Sequence, residues 1–102
     1  MKKSIIEVAT FKVKEGVSDE QVLQLSKTFI HILKQDFKGF IKRTLTQQCV
    51  SNTWVELVWW QSMDAAKFAF NNATKTIEFE QYCSIMKEEG SDLYYIEEMH
   101  EC

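Results

Sequence analysis

The 102 residues hold 45% hydrophobic and 26% charged side chains, a globular composition of one domain's length that excludes disorder and fibrous repeats. Fifteen acids against twelve bases, dispersed for a net charge of −3, leave no basic stripe for a phosphate backbone and exclude nucleic acid as a partner. No apolar run approaches the roughly 18–20 residues that span a bilayer, and Met1-Lys2-Lys3-Ser4 leads into an alternating segment rather than a signal-peptide core, so one cytoplasmic domain over residues 1–102, with no membrane partner, is expected.

Residues 5–13 are rich in β-branched side chains and close at Lys14-Glu15-Gly16, the pattern of a strand ended by a turn. Ser18 with Gln21 forms a capping box, and Asp19 and Glu20 sit where the helix dipole favours negative charge. Val22, Leu25, Phe29, Ile32 and Leu33 then recur at helical spacing to about Asp36, giving one apolar stripe to lie on a sheet; His31, on the opposite side, is expected to face water. Gly39 opens an extended run over 40–47, and a turn near Cys49–Asn52 joins it to another over 53–61, a hairpin. Ser62 can cap a second helix carrying Ala66, Ala69, Phe70 and Ala73, and a further helical stretch over 77–88 carries Phe79, Tyr82, Cys83 and Met86, with Gly90 as its stop. A last strand over 92–99 completes the order strand, helix, strand, strand, helix, strand. That order predicts an α+β, ferredoxin-like βαββαβ fold, with a four-stranded antiparallel sheet and its helices on one face.

The third strand is apolar on both faces: Trp54, Glu56, Val58 and Trp60 point one way, Val55, Leu57, Trp59 and Gln61 the other. Helices cover only one face of such a sheet, so the other needs a cover, and a second copy packed sheet to sheet supplies it. A homodimer is predicted. Cys49, Cys83 and Cys102 are an odd number without a Cys-x-x-Cys pair, which argues for reduced thiols and against a disulfide framework or a zinc site. The acidic pairs Glu88-Glu89 and Glu97-Glu98 lack the spacing of a metal cage, and no metal is expected.

The succession Glu7-x-x-Thr10-Phe11-Lys12-x-Lys14-x-Gly16-Val17, Gly39-Phe40-Ile41 with Arg43, and Trp54-x-Glu56-x-Val58-x-Trp60-x-Ser62-x-Asp64-Ala65 resembles the antibiotic biosynthesis monooxygenase (ABM) family from about residue 5 to residue 99. The resemblance implies a dimeric α+β barrel with a small-molecule cavity between each sheet and its helices. Family members include cofactor-free oxygenases of polycyclic aromatics, haem-degrading enzymes, isomerase-like and signalling proteins. The asparagine, tryptophan and histidine of the haem-degrading branch fall near Ala9, Ala69 and Cys83, so haem degradation is disfavoured and no cofactor is expected. A lone cysteine such as Cys83 on an apolar helix stripe reads as packing.

The cofactor-free branch implies an apolar cavity for an electron-rich aromatic, a base that favours its deprotonated form, and exclusion of water. Tryptophan, asparagine, tyrosine and arginine recur in such sites, and this chain offers Trp54 or Trp60, Asn71 or Asn72, Tyr82, Tyr94 or Tyr95, and Arg43, with Phe11 and Phe68 as further walls and His100 beyond the last strand. An aromatic stripe is also ordinary core.

Glu7 and Glu56 are the most informative positions, because each interrupts an apolar strand where an ionised carboxylate is costly unless paired. In the expected strand order both can share the cavity side. Burial would raise their pKa and make either a general base near neutral pH for a phenol or enol; an ion pair with Arg43 or Lys42, or exposure at a dimer rim, is the structural alternative. Three readings follow: a cofactor-independent monooxygenase or related proton-transfer enzyme for a small aromatic or enolisable compound, with Glu7 or Glu56 as base; a non-catalytic ligand-binding or regulatory dimer; and a structural protein with a filled core.

Overall fold

The computed structural model describes residues 4–100. Seven elements follow in chain order: β1 (Ile5–Phe11), α1 (Asp19–Asp36), β2 (Phe40–Gln47), β3 (Trp54–Trp60), α2 (Met63–Ala73), α3 (Ile77–Cys83) and β4 (Asp92–Glu97). The strands form one antiparallel sheet in the order β2-β3-β1-β4, the expected ferredoxin-like arrangement with β1 and β3 adjacent at its centre.

Each helix starts where its local chemistry dictates. The Ser18 hydroxyl accepts from the Gln21 amide while Gln21 Oε1 accepts from the Ser18 amide at 2.8 Å, so two otherwise orphaned donors are satisfied at the start of α1. Ser62 and Thr76 cap α2 and α3 in the same single-sided way. Gly39, between α1 and β2, has φ of +86° and lies so close to α2 that an added Cβ would meet Ala65 Cβ at 2.6 Å; only glycine fits this crossing.

The β1 register pairs Glu7 with Val58, Ala9 with Glu56 and Phe11 with Trp54. Strand alternation therefore puts Glu7, Ala9 and Phe11 on the same face as Trp54, Glu56, Val58 and Trp60. That face packs against Val22, Phe29 and Leu33 of α1, Ala66, Ala69 and Ala73 of α2, and Tyr82 of α3. The opposite face carries Ile6, Val8, Val55, Leu57, Trp59, Tyr94 and Ile96, with Val8 paired to Leu57 and Tyr94, and Ile6 to Trp59 and Ile96. No helix among the described residues covers it, and Tyr94 and Ile96 stay exposed.

Three element ends differ from those expected, β4 stopping at Glu97 rather than 99. The helix expected over 77–88 ends at Cys83, because the chain beyond it turns to pair with the end of β1: Lys14 N–H donates to the Ile85 carbonyl and Lys87 N–H to the Lys12 carbonyl, with Val13 bridged to Met86. The same pairing explains why β1 ends at Phe11, since residue 13 has a different partner. Gly90, expected as a helix stop, instead turns the chain into β4 with φ of +81° beside the Lys12 side chain. No helix among the described residues is long and apolar enough to cross a membrane.

Candidate functional site

A cavity of about 210 Å³ lies between the helix-facing side of the sheet and the three helices. Its floor is buried: Phe11, Val58 and Trp60 from the sheet, Phe29 and Leu33 from α1, Ala69 and Ala73 from α2. Its outer end is formed by the more exposed Phe70, Thr74, Ser91, Asp92 and Leu93, which mark a mouth between α2 and the start of β4. The third reading of the sequence, a core filled throughout, does not describe this interior.

Glu7 and Glu56 both line the cavity, yet their surroundings differ. Glu56 is buried and paired with Arg43, whose Nε and Nη2 both donate to Oε1, at 2.9 and 2.5 Å. Arg43 also donates from Nη1 to Ser26 Oγ at 2.5 Å and from Nη2 to Tyr82 OH at 3.1 Å. Its guanidinium lies 5.5 Å from the Tyr82 ring centre and 5.9 Å from that of Phe29. α1, β2, β3 and α3 each contribute one member to this network, so a single cation ties the sheet to two helices while neutralising Glu56.

Glu7 has no such cation. Its Oε1 accepts from Trp60 Nε1 at 3.2 Å, a neutral donor that supports the carboxylate weakly. Burial raises its pKa first, the Glu56 charge adds to this, and the Trp60 hydrogen bond and the more distant Arg43 oppose it; the balance places it at about 7. Two acids on one cavity wall are thus separated in role by one arginine. Burial also pushes the Tyr82 hydroxyl and the Cys83 thiol upward, with the Glu56 charge adding to both.

The other expected residues divide. Phe11 and Trp60 line the cavity. Arg43 and Tyr82 stand behind the wall and reach it through Glu56. Trp54 is buried with its ring stacked on Phe11 at 6.3 Å, outside the lining, and its Nε1 is the one fully buried side-chain polar atom without a partner among the described residues. Phe68 is corrected: it is 60% exposed and its ring meets Phe37 on the far side of α2. Asn71 and His100 are exposed and outside the lining, Asn71 because α2 can turn only one stripe to the cavity. Lys42, an alternative partner for the acids, lies over the Trp59 ring at 4.3 Å on the opposite face. Cys83, read as core packing, lies half-buried on the cavity wall, and Ala9 and Ala69 line it too. Ser26 and Asp92 went unnoticed, because a serine on an apolar stripe and an acid at a strand start carry no local signal. Among the described residues no group of three or more His, Cys, Asp or Glu stands together to hold a metal ion.

No family model matches the sequence, and no curated protein does. Solved structures match over nearly the whole chain. SnoaB of Streptomyces nogalater, a cofactor-independent oxygenase, superposes with a TM-score of 0.79 at 14% identity, over 97% of this chain and 96% of its own. The ActVA-Orf6 monooxygenase of Streptomyces coelicolor, solved with nanaomycin D, gives 0.77 at 16% identity over 99% and 92%. A Caulobacter crescentus CB15 protein carrying the antibiotic biosynthesis monooxygenase name gives 0.73 at 19% identity over 97% and 92%. At such identities the likeness is one of fold, and this chain has the ferredoxin-like α+β fold of the antibiotic biosynthesis monooxygenases.

Proposed function

We propose that the protein is a cofactor-independent monooxygenase of a small aromatic or enolisable molecule, acting as a single-domain homodimer joined through its open sheet faces. The observation that carries the reading is Glu7: a carboxylate on the wall of a largely apolar cavity, pushed up to about 7 by burial and left without a cation while its neighbour Glu56 is paired with Arg43. The fold shared with SnoaB and the ActVA-Orf6 monooxygenase supports the same chemistry.

In this reading Glu7 takes the proton of a phenol or enol, and the resulting anion is the reductant. For a phenol with a free para position, carbon–oxygen bond formation with O2 and loss of water give the quinone: one oxygen atom enters the product, the other leaves as water, and the substrate supplies all the electrons. Phe11, Phe29, Leu33 and Val58 exclude bulk water from that step. Arg43, Ser26 and Tyr82 act by holding Glu56 in place. The dimer rests on the uncovered face of Ile6, Val8, Leu57, Trp59 and Ile96, a continuous apolar surface at the sheet centre.

The test is oxygen uptake with 1-naphthol under ¹⁸O2. The wild type is expected to form 1,4-naphthoquinone carrying one ¹⁸O, and Glu7→Gln to lose about a hundredfold or more in kcat, as general-base removal does. Undiminished turnover in Glu7→Gln would remove Glu7 as the base; binding without oxygen uptake would favour the non-catalytic ligand-binding dimer.

A further inference from the structure

The polar character of the cavity is one-sided. Glu7, Glu56 and, at the mouth, Asp92 line it, and among the described residues no lysine, arginine or histidine does. The one cation nearby, Arg43, spends its donors on Glu56, Ser26 and Tyr82. Two acceptor atoms remain unused: Glu7 takes its hydrogen bond on Oε1 and Glu56 takes both of its bonds on Oε1, leaving each Oε2 without a protein donor. Among the described residues Trp54 Nε1 is the one fully buried side-chain polar atom lacking a partner, so neither of these two oxygens is sealed in the core, and both residues line the cavity. Unmet acceptors in an apolar space call for a donor from the ligand.

Size narrows the class further. An apolar cavity of about 150 Å³ accommodates benzene, and this one holds about 210 Å³. One ring fits wholly inside and a second can reach the mouth at Thr74 and Asp92, so three or four fused rings would have to extend past the mouth into water.

We infer that the cavity takes an uncharged hydroxylated aromatic of one or two rings, its hydroxyl donated to Glu7 or Glu56, and that it rejects aromatics bearing a carboxylate or phosphate. This inference rests on the reading of this cavity as the ligand site and deepens it. Rejection follows because an anionic group would pass Asp92 at the mouth and enter a low-dielectric space beside Glu7, where the nearby cation, Arg43, is already spent on Glu56.

The test is calorimetric titration of the wild type with 1-naphthol, 1-naphthoate and 1-hydroxypyrene. The expected result is 1-naphthol binding at least about tenfold more tightly than 1-naphthoate, and no detectable binding of 1-hydroxypyrene. The Glu7→Gln/Asp92→Asn variant is expected to narrow the naphthol-to-naphthoate ratio to about threefold or less. Equal or tighter binding of 1-naphthoate, 1-hydroxypyrene binding as tightly as 1-naphthol, an unaltered ratio in the double variant, or no binding of 1-naphthol to the wild type would each overturn the inference. Selective binding without oxygen uptake would leave this inference standing while removing the monooxygenase reading, and turnover of a carboxylated aromatic would do the reverse.

Discussion

Replacing Arg43 by methionine isolates a carboxylate inside the protein. The Arg43 and Glu56 side chains are 3% and 8% exposed, and both hydrogen bonds to Glu56 come from Arg43. Arg43→Met keeps most of the apolar stem but leaves Glu56 with no donor and strips Ser26 and Tyr82 of theirs. Removing one partner of a buried ion pair costs about 3–5 kcal/mol, a large share of the roughly 5–15 kcal/mol that holds a domain folded. Glu56→Met should cost a similar amount, since it strands the guanidinium instead. Arg43→Met combined with Glu56→Met removes both charges and is expected within about 2 kcal/mol of wild type, because apolar replacements of a whole buried pair are often near neutral. Urea unfolding of the four proteins, at one fixed protein concentration to hold any association constant, would then give a coupling of several kcal/mol. A cost below about 1 kcal/mol for Arg43→Met, or a double variant as unstable as the sum of the single ones, would refute the claim that this pair is buried and mutually dependent.

Three further outcomes are expected. The Glu7 pKa is raised in the folded protein from 4.5 to about 7, so its contribution to stability is fully present below 4.5 and is lost as pH rises through 7; Glu7→Gln should therefore be more stable than wild type by about 3 kcal/mol at about pH 8 and nearly unchanged at about pH 4, and an equal shift at both would refute the linkage. Leu57→Glu, on the uncovered sheet face opposite Val8, should sediment as a monomer where the wild type sediments as a dimer; unaltered association would place the interface elsewhere. Gly39→Ala forces a side chain to 2.6 Å from Ala65 Cβ at φ of +86° and should cost about 1–3 kcal/mol in urea unfolding, whereas a neutral effect would contradict the close crossing.

How much of this was legible in the sequence differs from element to element. The capping box at Ser18 and Gln21, the run over 40–47 and the alternation of Trp54, Glu56, Val58 and Trp60 are local signals, and each appears in the structure as read. Two acids in the middle of apolar strands are visible for the same reason, and the strand order brings the two strands together; which face the acids share is set by the pairing of Glu7 with Val58 and Ala9 with Glu56. The partners were less legible. Arg43 meets Ser26 and Tyr82, 17 and 39 residues away in sequence, and such meetings depend on helix position over the sheet, which periodicity does not set. Of the two acids Glu56 is the one paired with Arg43, because β3, which carries it, lies next to β2 and stands between Arg43 and Glu7 on β1. The end of α3 is not legible in the sequence, because the apolar spacing continues to Met86 while the backbone hydrogen bonds have already passed to residues 12 and 14. The place of Phe68 is not legible either, because helical spacing cannot tell an aromatic on the cavity stripe from one that packs on a loop residue such as Phe37.

The central claim is that Glu7 is a carboxyl poised near neutrality in an apolar cavity, and the most direct measurement is a ¹³C NMR titration of its side-chain carboxyl carbon, assigned by its loss in Glu7→Gln. A midpoint at about 7 is predicted. A midpoint at the ordinary 4.5 would mean that water or an unforeseen cation reaches Glu7, and would contradict the account.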